Sequence, residues 1–240
     1  MVKKIVGTGV LLVLALALQA GVKMYTLKSP DGKVKLEVTA GQGIAYSLFY
    51  DGRLLLKPSR IALHTDLPEA DHWENIRITG TKQRHVSETV QAPFYRVKEF
   101  GIDCNELELR LNNGFLLLMR AYNDGMAYRF VAGRKGEMTV VEERAEFNFA
   151  DDFEAYIPYS TNPKDPWNMA FQNFYTKAPL TQYNTELPAF LPLTVDAGAV
   201  KLTLLESDLE AYPGMFVCGD GKTPALKGVF AAYPQETFKN

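Results

Sequence analysis

Cysteine and histidine are scarce in this sequence of 240 residues. It contains only two cysteines, Cys104 and Cys218, and three histidines. Two cysteines are too few for a disulfide framework or for a zinc site made of thiolates. They can form one disulfide or remain as two buried thiols, and we expect two thiols. His64, His72 and His85 are not spaced as a metal cluster, and we expect His64 and His72 at the surface.

A strong net charge and the common catalytic motifs are also missing. The formal net charge is −2, so no basic field favours nucleic acid or an anionic membrane surface. The sequence has no G-x-S-x-G, H-E-x-x-H, P-loop or G-x-G-x-x-G motif. Acidic residues are so numerous that choosing two of them as a glycosidase pair would be arbitrary. The sequence therefore identifies no catalytic residue and predicts no nucleic-acid partner.

The N-terminus has the pattern of a targeting segment. Two lysines follow Met1-Val2, then comes an apolar run that ends near Ala20. This pattern predicts a secretory signal peptide over residues 1–22, a mature domain over residues 23–240 and a periplasmic or secreted location. The alternative is an uncleaved membrane anchor, but the apolar run is short and contains Gly7 and Gly9. We expect no membrane segment after cleavage.

Alternating apolar and polar residues dominate the rest of the chain. Val34, Leu36 and Val38 alternate with charged residues, and Asp51-Gly52 separates two apolar runs as a hairpin turn does. No long window after residue 22 has helical periodicity. Many strands with turns between them are typical of a β-sandwich. The sequence predicts an all-β fold built as a sandwich of two sheets.

A second hairpin is predicted over residues 115–130. Two long apolar strands, carrying Arg120 and Arg129, flank the sequence Asn123-Asp124-Gly125. We expect both strands to be central in their sheet and heavily buried on one face. We also expect a positive φ at Gly125, because a tight turn of this sequence requires one.

The segment from residue 156 to 190 differs from the alternating strands. It is rich in proline and aromatic residues, which is typical of a long ordered loop. One interpretation is that its aromatic side chains pack over an edge of the sandwich. In the other, Trp167, Phe174 and Tyr175 stack on the face of a sugar or on a neighbouring domain.

Glu206 occupies an unusual place in the strand pattern. Val200, Leu202 and Leu204 share one apolar face, and Glu206 continues the same register. A carboxylate there must be neutralised, paired or bound to a cation. It can lie at the rim in water, accept backbone N–H groups of the following turn, or bind a calcium ion, which prefers oxygen ligands. Periodicity alone leaves the three interpretations open.

Several motifs in order along the chain resemble the N-terminal domain of glycoside hydrolase family 97. They are SPDGKVKLEV, YDGRLLLKPSRIAL, RAYNDGMAYRF, YIPY, LPLTV, LLESDLEAYPGMF and LKGVFAAYP, between about residues 25 and 235. The resemblance implies a β-super-sandwich similar to galactose-mutarotase-like domains. It also implies a secreted or periplasmic enzyme acting on α-glucosides or α-galactosides, of a family known mainly from Bacteroidota.

The resemblance further implies how this domain takes part in the reaction. In family members it precedes a catalytic (β/α)8 barrel that holds the catalytic carboxylates and an active-site calcium ion. One glutamate of the N-terminal domain reaches the calcium, and it maps onto Glu206 in LLESDLEAYPGMF. The sequence printed here ends at Asn240 without the roughly 250 residues of a barrel. We therefore expect this chain alone to be inactive and to bind calcium weakly.

Two other functions remain as alternatives at this stage. The chain can be a carbohydrate-binding or structural module with no chemistry of its own. It can also be an aldose epimerase, which uses a histidine pair and a glutamate in a concave cleft. Neither the choice between glucose and galactose nor the stereochemical course of the reaction follows from the sequence.

Overall fold

The chain is almost entirely β-structure. The computed structural model describes residues 23–133, 135–168, 171–210 and 212–232, so the predicted signal peptide lies outside the described part. The described residues contain fifteen strands and one 3-10 turn, Leu180–Gln182. None of their helical structure is long and apolar enough to cross a membrane. The all-β prediction is confirmed.

The strands are numbered in chain order. They are β1 (Lys23–Lys28), β2 (Val34–Gly41), β3 (Gly43–Tyr50), β4 (Arg53–Thr65), β5 (Ile78–Gln91), β6 (Glu99–Leu111), β7 (Phe115–Tyr122), β8 (Gly125–Ala132), β9 (Val140–Asn148), β10 (Glu154–Ile157), β11 (Thr176–Pro179), β12 (Leu193–Ala197), β13 (Val200–Leu204), β14 (Met215–Gly219) and β15 (Ala225–Phe230).

These strands form three sheets in which every neighbouring pair is antiparallel. The large sheet has seven strands in the order β1-β2-β3-β4-β9-β15-β14. The meander sheet has the order β5-β6-β7-β8, and the third sheet has the order β11-β10-β12-β13. The predicted sandwich is confirmed, but it has three sheets instead of two, because β10 to β13 pair with one another and do not extend the meander sheet.

One hydrophobic core joins the three sheets. The alternation in β2 buries Val34, Leu36 and Val38 as the sequence predicts. Tyr46 on β3 contacts Tyr128 on β8 with ring centroids 6.0 Å apart, so the large sheet faces the meander sheet. The core cluster includes side chains from every sheet. Burial of this continuous apolar surface is the main force that holds the layers together.

Trp73 is a buried member of this core. It lies in the connection between β4 and β5 and packs against Phe115 and Phe130, at centroid distances of 5.9 and 5.3 Å. Its indole N–H donates a hydrogen bond to the Leu63 carbonyl at 3.0 Å. A buried indole needs such a partner, and the contact fixes the connection across the sheets.

The turn prediction is confirmed for the first hairpin and is wrong for the second. Asp51 and Gly52 have φ values of 48° and 79°, as a two-residue turn between β3 and β4 requires. In the β7–β8 hairpin, Gly125 does not have a positive φ, and that prediction is wrong. The turn consists of Asn123 and Asp124, and Gly125 is the first residue of β8, paired with Tyr122. A Gly125→Val substitution therefore meets no strain of the kind predicted from this turn.

The predicted burial of this hairpin is only half correct. Strand β7 alternates between buried and half-buried residues and lies inside the meander sheet. Strand β8 is the edge of that sheet and has no fully buried residue. It is the last strand of a meander, so it pairs on one side only. The expectation that both strands are central is therefore wrong for β8.

Both cysteines are free thiols, as predicted. Cys104 on β6 is buried and Cys218 on β14 is partly buried. Burial raises the pKa of both thiols above the ordinary value. The two residues thus behave as small apolar side chains.

Gly219 on β14 gives a stability prediction. A Cβ at this position would lie 2.7 Å from Cγ and 2.8 Å from Cβ of Tyr183. Tyr183 is buried and donates a hydrogen bond to the Val217 carbonyl at 2.7 Å, so its ring has little room to move. We expect Gly219→Ala to lower the free energy of unfolding by about 1–3 kcal/mol in denaturant titrations. Gly101→Ala on β6 is the control, because no atom lies within 4 Å of its added Cβ; equal losses in both variants would contradict the packing argument.

Candidate functional site

Glu206 lies two residues beyond the end of β13. From there residues 205–214, which we call the bridging segment, lead to β14. The Glu206 side chain is half-buried, and its Oε2 accepts a hydrogen bond from the backbone N–H of Met215 at 2.6 Å. Met215 is the first residue of β14. The carboxylate thus closes the bridging segment onto the strand that follows it and is not sealed in the core.

The bridging segment connects two sheets of the sandwich. Asp208 forms an ion pair with Arg129 on β8, with a distance of 2.7 Å between Oδ2 and Nη2. The Tyr212 ring packs edge-on against Phe230 on β15, with centroids 6.0 Å apart. The Tyr212 hydroxyl also approaches the Glu143 carboxylate on β9. Glu206 is therefore held between the edge of the meander sheet and the large sheet.

Two carboxylates share this region. Burial raises the pKa of Glu206, and the hydrogen bond from Met215 lowers it in part. Burial also raises the pKa of Glu143, which Tyr212 lowers and the charge of Glu206 raises further. Burial and the Glu143 charge raise the pKa of Tyr212 above its ordinary value. A cation bound here would relieve the cost of holding two partly buried negative charges near each other.

Among the described residues, Glu206 could supply one ligand of a calcium site. Calcium takes six to eight oxygen ligands. The described residues contain no group of three or more histidine, cysteine or acidic side chains able to hold a metal ion. Glu206 has one oxygen on Met215 and a second that makes no hydrogen bond within the described part of the chain. It suits the role of a single ligand, and a complete calcium site would need further ligands from outside the described residues.

The three aromatic candidates of the loop have different environments. Trp167 is half-buried and packs edge-on against Phe216, with centroids 4.8 Å apart. The Tyr175 hydroxyl donates to the Pro192 carbonyl at 3.2 Å. The Phe174 side chain is 100% exposed. Packing within the domain explains Trp167 and much of Tyr175, whereas Phe174 offers its ring to solvent.

The histidines do not form an epimerase-like arrangement. His64 on β4 lies 2.7 Å from Asp71, and His85 on β5 lies 3.1 Å from Asp103. The two histidines are in different sheets. His72 is exposed.

Comparison with known proteins decides the family. Residues 27–235 match the family model described as Glycosyl-hydrolase 97 N-terminal. This chain belongs to that family. A retaining alpha-galactosidase of Bacteroides thetaiotaomicron is 39% identical to the family 97 domain described here, over 93% of this chain and 34% of the relative. A probable retaining alpha-galactosidase of Streptomyces bingchenggensis is 26% identical over 64% of this chain and 24% of the relative.

Solved structures agree on the fold of the family 97 domain. A family 97 enzyme of Pseudoalteromonas sp. strain K8, in complex with panose, superposes with a TM-score of 0.71 at 18% identity. The match covers 86% of this chain and 32% of that enzyme. A beta-arabinopyranosidase gives a TM-score of 0.73 at 20% identity, over 87% of this chain and 35% of its own. The chain thus spans between about a quarter and about a third of the length of the relatives it matches.

Proposed function

We propose that this chain is the non-catalytic N-terminal domain of a secreted, calcium-dependent α-glycosidase. The observation that carries the proposal is the state of Glu206. It is a half-buried carboxylate with one oxygen fixed by Met215 and the other without a hydrogen bond from any described residue, beside a second carboxylate, Glu143, whose pKa burial raises. Such a group is one ligand of an incomplete cation site. Membership of family 97 supports calcium as that cation and a catalytic barrel as the source of the other ligands.

Exposed leucines support a docking partner at the same place. Leu205 is 67% exposed and Leu209 is 47% exposed, and both lie in the bridging segment beside Glu206. Large apolar side chains around a functional carboxylate are typical of a surface that is covered in the complete protein. The length of the relatives supports a catalytic domain as the cover, in this proposal a (β/α)8 barrel. Closure over Leu205 and Leu209 would exclude water from the carboxylate.

In this proposal Met215 and Tyr212 position the Glu206 carboxylate. The backbone N–H of Met215 holds one oxygen of Glu206. Tyr212 packs on Phe230 and fixes the end of the bridging segment. Calcium, when bound, would supply a positive charge that stabilises negative charge developing during the reaction. The chain supplies no acid, base or nucleophile in this proposal, and those groups belong to the catalytic domain.

The relatives' names favour a substrate class. The relative at 39% identity is a retaining alpha-galactosidase, so we propose an α-galactoside as substrate of the complete enzyme. An α-glucoside is the other candidate, since a family 97 structure is a complex with panose. The apolar segment over residues 1–22 supports export to the periplasm or outside the cell.

A chimera tests this function. This chain replaces the matched third of the Bacteroides thetaiotaomicron relative and is joined to the rest of that protein. We expect the chimera to hydrolyse an aryl α-galactoside, with activity lost in a calcium chelator and restored by calcium. We expect the isolated chain to show no turnover under the same conditions. Turnover by the isolated chain above a heat-inactivated control, or a chimera indifferent to calcium, would contradict the proposal.

A further inference from the structure

An open cleft lies in the loop-rich half of the domain, apart from the bridging segment. Its volume is about 750 Å³. Residues on its wall include Tyr159, Ser160, Asn173, Phe174 and Asn184. We propose that this cleft binds a neutral saccharide, with Phe174 as the ring on which the sugar stacks.

The chemistry of the wall favours a neutral ligand rich in hydroxyl groups. Every described side chain that lines the cleft is uncharged. Four amides contribute to it, and they belong to Gln172, Asn173, Gln182 and Asn184. Amides both donate and accept hydrogen bonds, as the hydroxyl groups of a sugar do. An ionic ligand would find no counter-charge on this wall.

Phe174 supplies the apolar surface that a sugar ring needs. Its side chain is completely exposed, whereas the neighbouring Trp167 packs within the domain. A bare aromatic ring beside polar amides offers a flat face to the C–H side of a pyranose, while the amides bind its rim. Phe94 at the tip of the β5–β6 hairpin is equally exposed but does not line this cleft. The combination of ring and amides is what distinguishes Phe174.

Ser160 is an independent sign of a missing ligand. The residue is only 2% exposed, and its hydroxyl has no hydrogen-bond partner within the described part of the chain. Buried hydroxyl groups are nearly always paired, so an unpaired one requires an explanation. Ser160 lines the cleft and its oxygen is shielded from solvent, so a hydroxyl group of a bound sugar would become its partner after a small rearrangement of the wall.

The cleft is held open by the domain itself. The Tyr159 hydroxyl accepts a hydrogen bond from the backbone N–H of Asn184 at 2.8 Å. The Asn173 amide donates to the Tyr159 carbonyl at 2.5 Å. These bonds fix both sides of the wall before any ligand binds. A site of this kind loses little conformational freedom on binding.

Titration of the isolated chain tests the inference. Melibiose and maltotriose are added to isotope-labelled protein without calcium, and amide chemical shifts are followed by NMR. We expect saturable shifts confined to the cleft for at least one of these sugars. Phe174→Ala should weaken binding about 10-fold, because an aromatic contact contributes on the order of one factor of ten in affinity. Phe94→Ala is the matched control and should leave the affinity unchanged.

Ser160→Ala separates binding from folding. Its melting temperature should be equal to or above that of the wild type, because the variant loses an unpaired buried hydroxyl. Its affinity for the sugar should nevertheless fall. Absence of saturable shifts with both sugars, or equal effects of Phe174→Ala and Phe94→Ala, would overturn the inference. The test uses neither calcium nor a catalytic domain, so its failure would leave the role of Glu206 standing.

Discussion

Glu206→Gln is expected to remove calcium-dependent turnover from the chimera. Glutamine keeps the shape of the side chain and can still accept the hydrogen bond from Met215, but it loses the negative charge and is therefore a weaker calcium ligand. We expect kcat/KM at saturating calcium to fall on the order of 100-fold, which is the upper end of the effect of residues that only support a ligand. The calcium concentration for half-maximal activity should rise as well, measured in an initial-rate titration.

The control is Glu210→Gln, which neutralises an exposed carboxylate of the same bridging segment. It should retain both activity and calcium response. If Glu206→Gln responds to calcium as the unmodified chimera does, Glu206 is not a ligand and only caps the turn before Met215. Equal losses in both variants would point to a general effect of charge.

The same substitution should have little effect on the stability of the isolated chain. Burial raises the pKa of Glu206 in the folded state, so the charged form opposes folding. The protonated Glu206 carboxyl group favours the folded state relative to the charged carboxylate. This contribution to stability is fully present below the unfolded pKa and is lost as pH rises through the folded pKa. Glutamine removes this dependence, and we expect the free energy of unfolding at neutral pH to change by less than about 0.5 kcal/mol.

A much larger loss of stability is expected from Arg120→Met. Glu106 on β6 is 3% exposed, and both of its oxygens are paired. Arg84 on β5 lies 2.6 Å from one oxygen, and Arg120 on β7 lies 2.8 Å from the other. The substitution leaves a buried carboxylate with one partner, which we expect to lower the free energy of unfolding by about 3 kcal/mol.

The pH dependence of stability identifies the cause of that loss. Burial raises the pKa of Glu106, but the hydrogen bonds from Arg84 and Arg120 outweigh it, and the pKa lies below the ordinary value of 4.5. A depressed carboxyl pKa stabilises the fold above the unfolded pKa, and this contribution is lost as pH falls through the folded pKa. Denaturation at pH 7 and pH 3 should therefore show a smaller difference for Arg120→Met than for the wild type.

Arg110→Met provides the comparison for this experiment. Arg110 pairs with Glu108 at 3.1 Å, but its side chain is 69% exposed. An exposed pair of this kind contributes little, so the variant should lie within about 0.5 kcal/mol of the wild type. A similar loss in both arginine variants would show that the buried Glu106 carboxylate does not account for the effect.

Local pattern predicted most of the strands in this fold. The alternation around Val34 and the Asp51-Gly52 turn depend on neighbouring residues only, and the structure agrees with both. The position of β8 could not be predicted in the same way. Whether a strand is central or at an edge depends on which other strands pair with it, and those partners are distant in sequence.

Only part of the candidate site could be predicted from the sequence, for the same reason. Periodicity drew attention to Glu206, because this residue follows Val200, Leu202 and Leu204 in the same register and places a carboxylate on their apolar face. Its neighbour Glu143 is on β9, in another sheet from β13. The partners of Glu106 are equally hidden, since Arg84 and Arg120 come beside it only through the registers of β5 and β7. Side-chain pairs between neighbouring strands can be predicted from sequence only when the register of those strands is known.

The bridging segment also has a consequence for the order of folding. Its ion pair joins Arg129 and Asp208, which are 79 residues apart in sequence. Contacts of such high sequence separation form only after the loop-closure entropy has been overcome, and in sheet-rich proteins this is slow. The meander sheet can form from neighbouring hairpins while the chain is still being synthesised. The Glu206 carboxylate reaches its place only once β14 is present, so the surface it creates belongs to the last stage of folding.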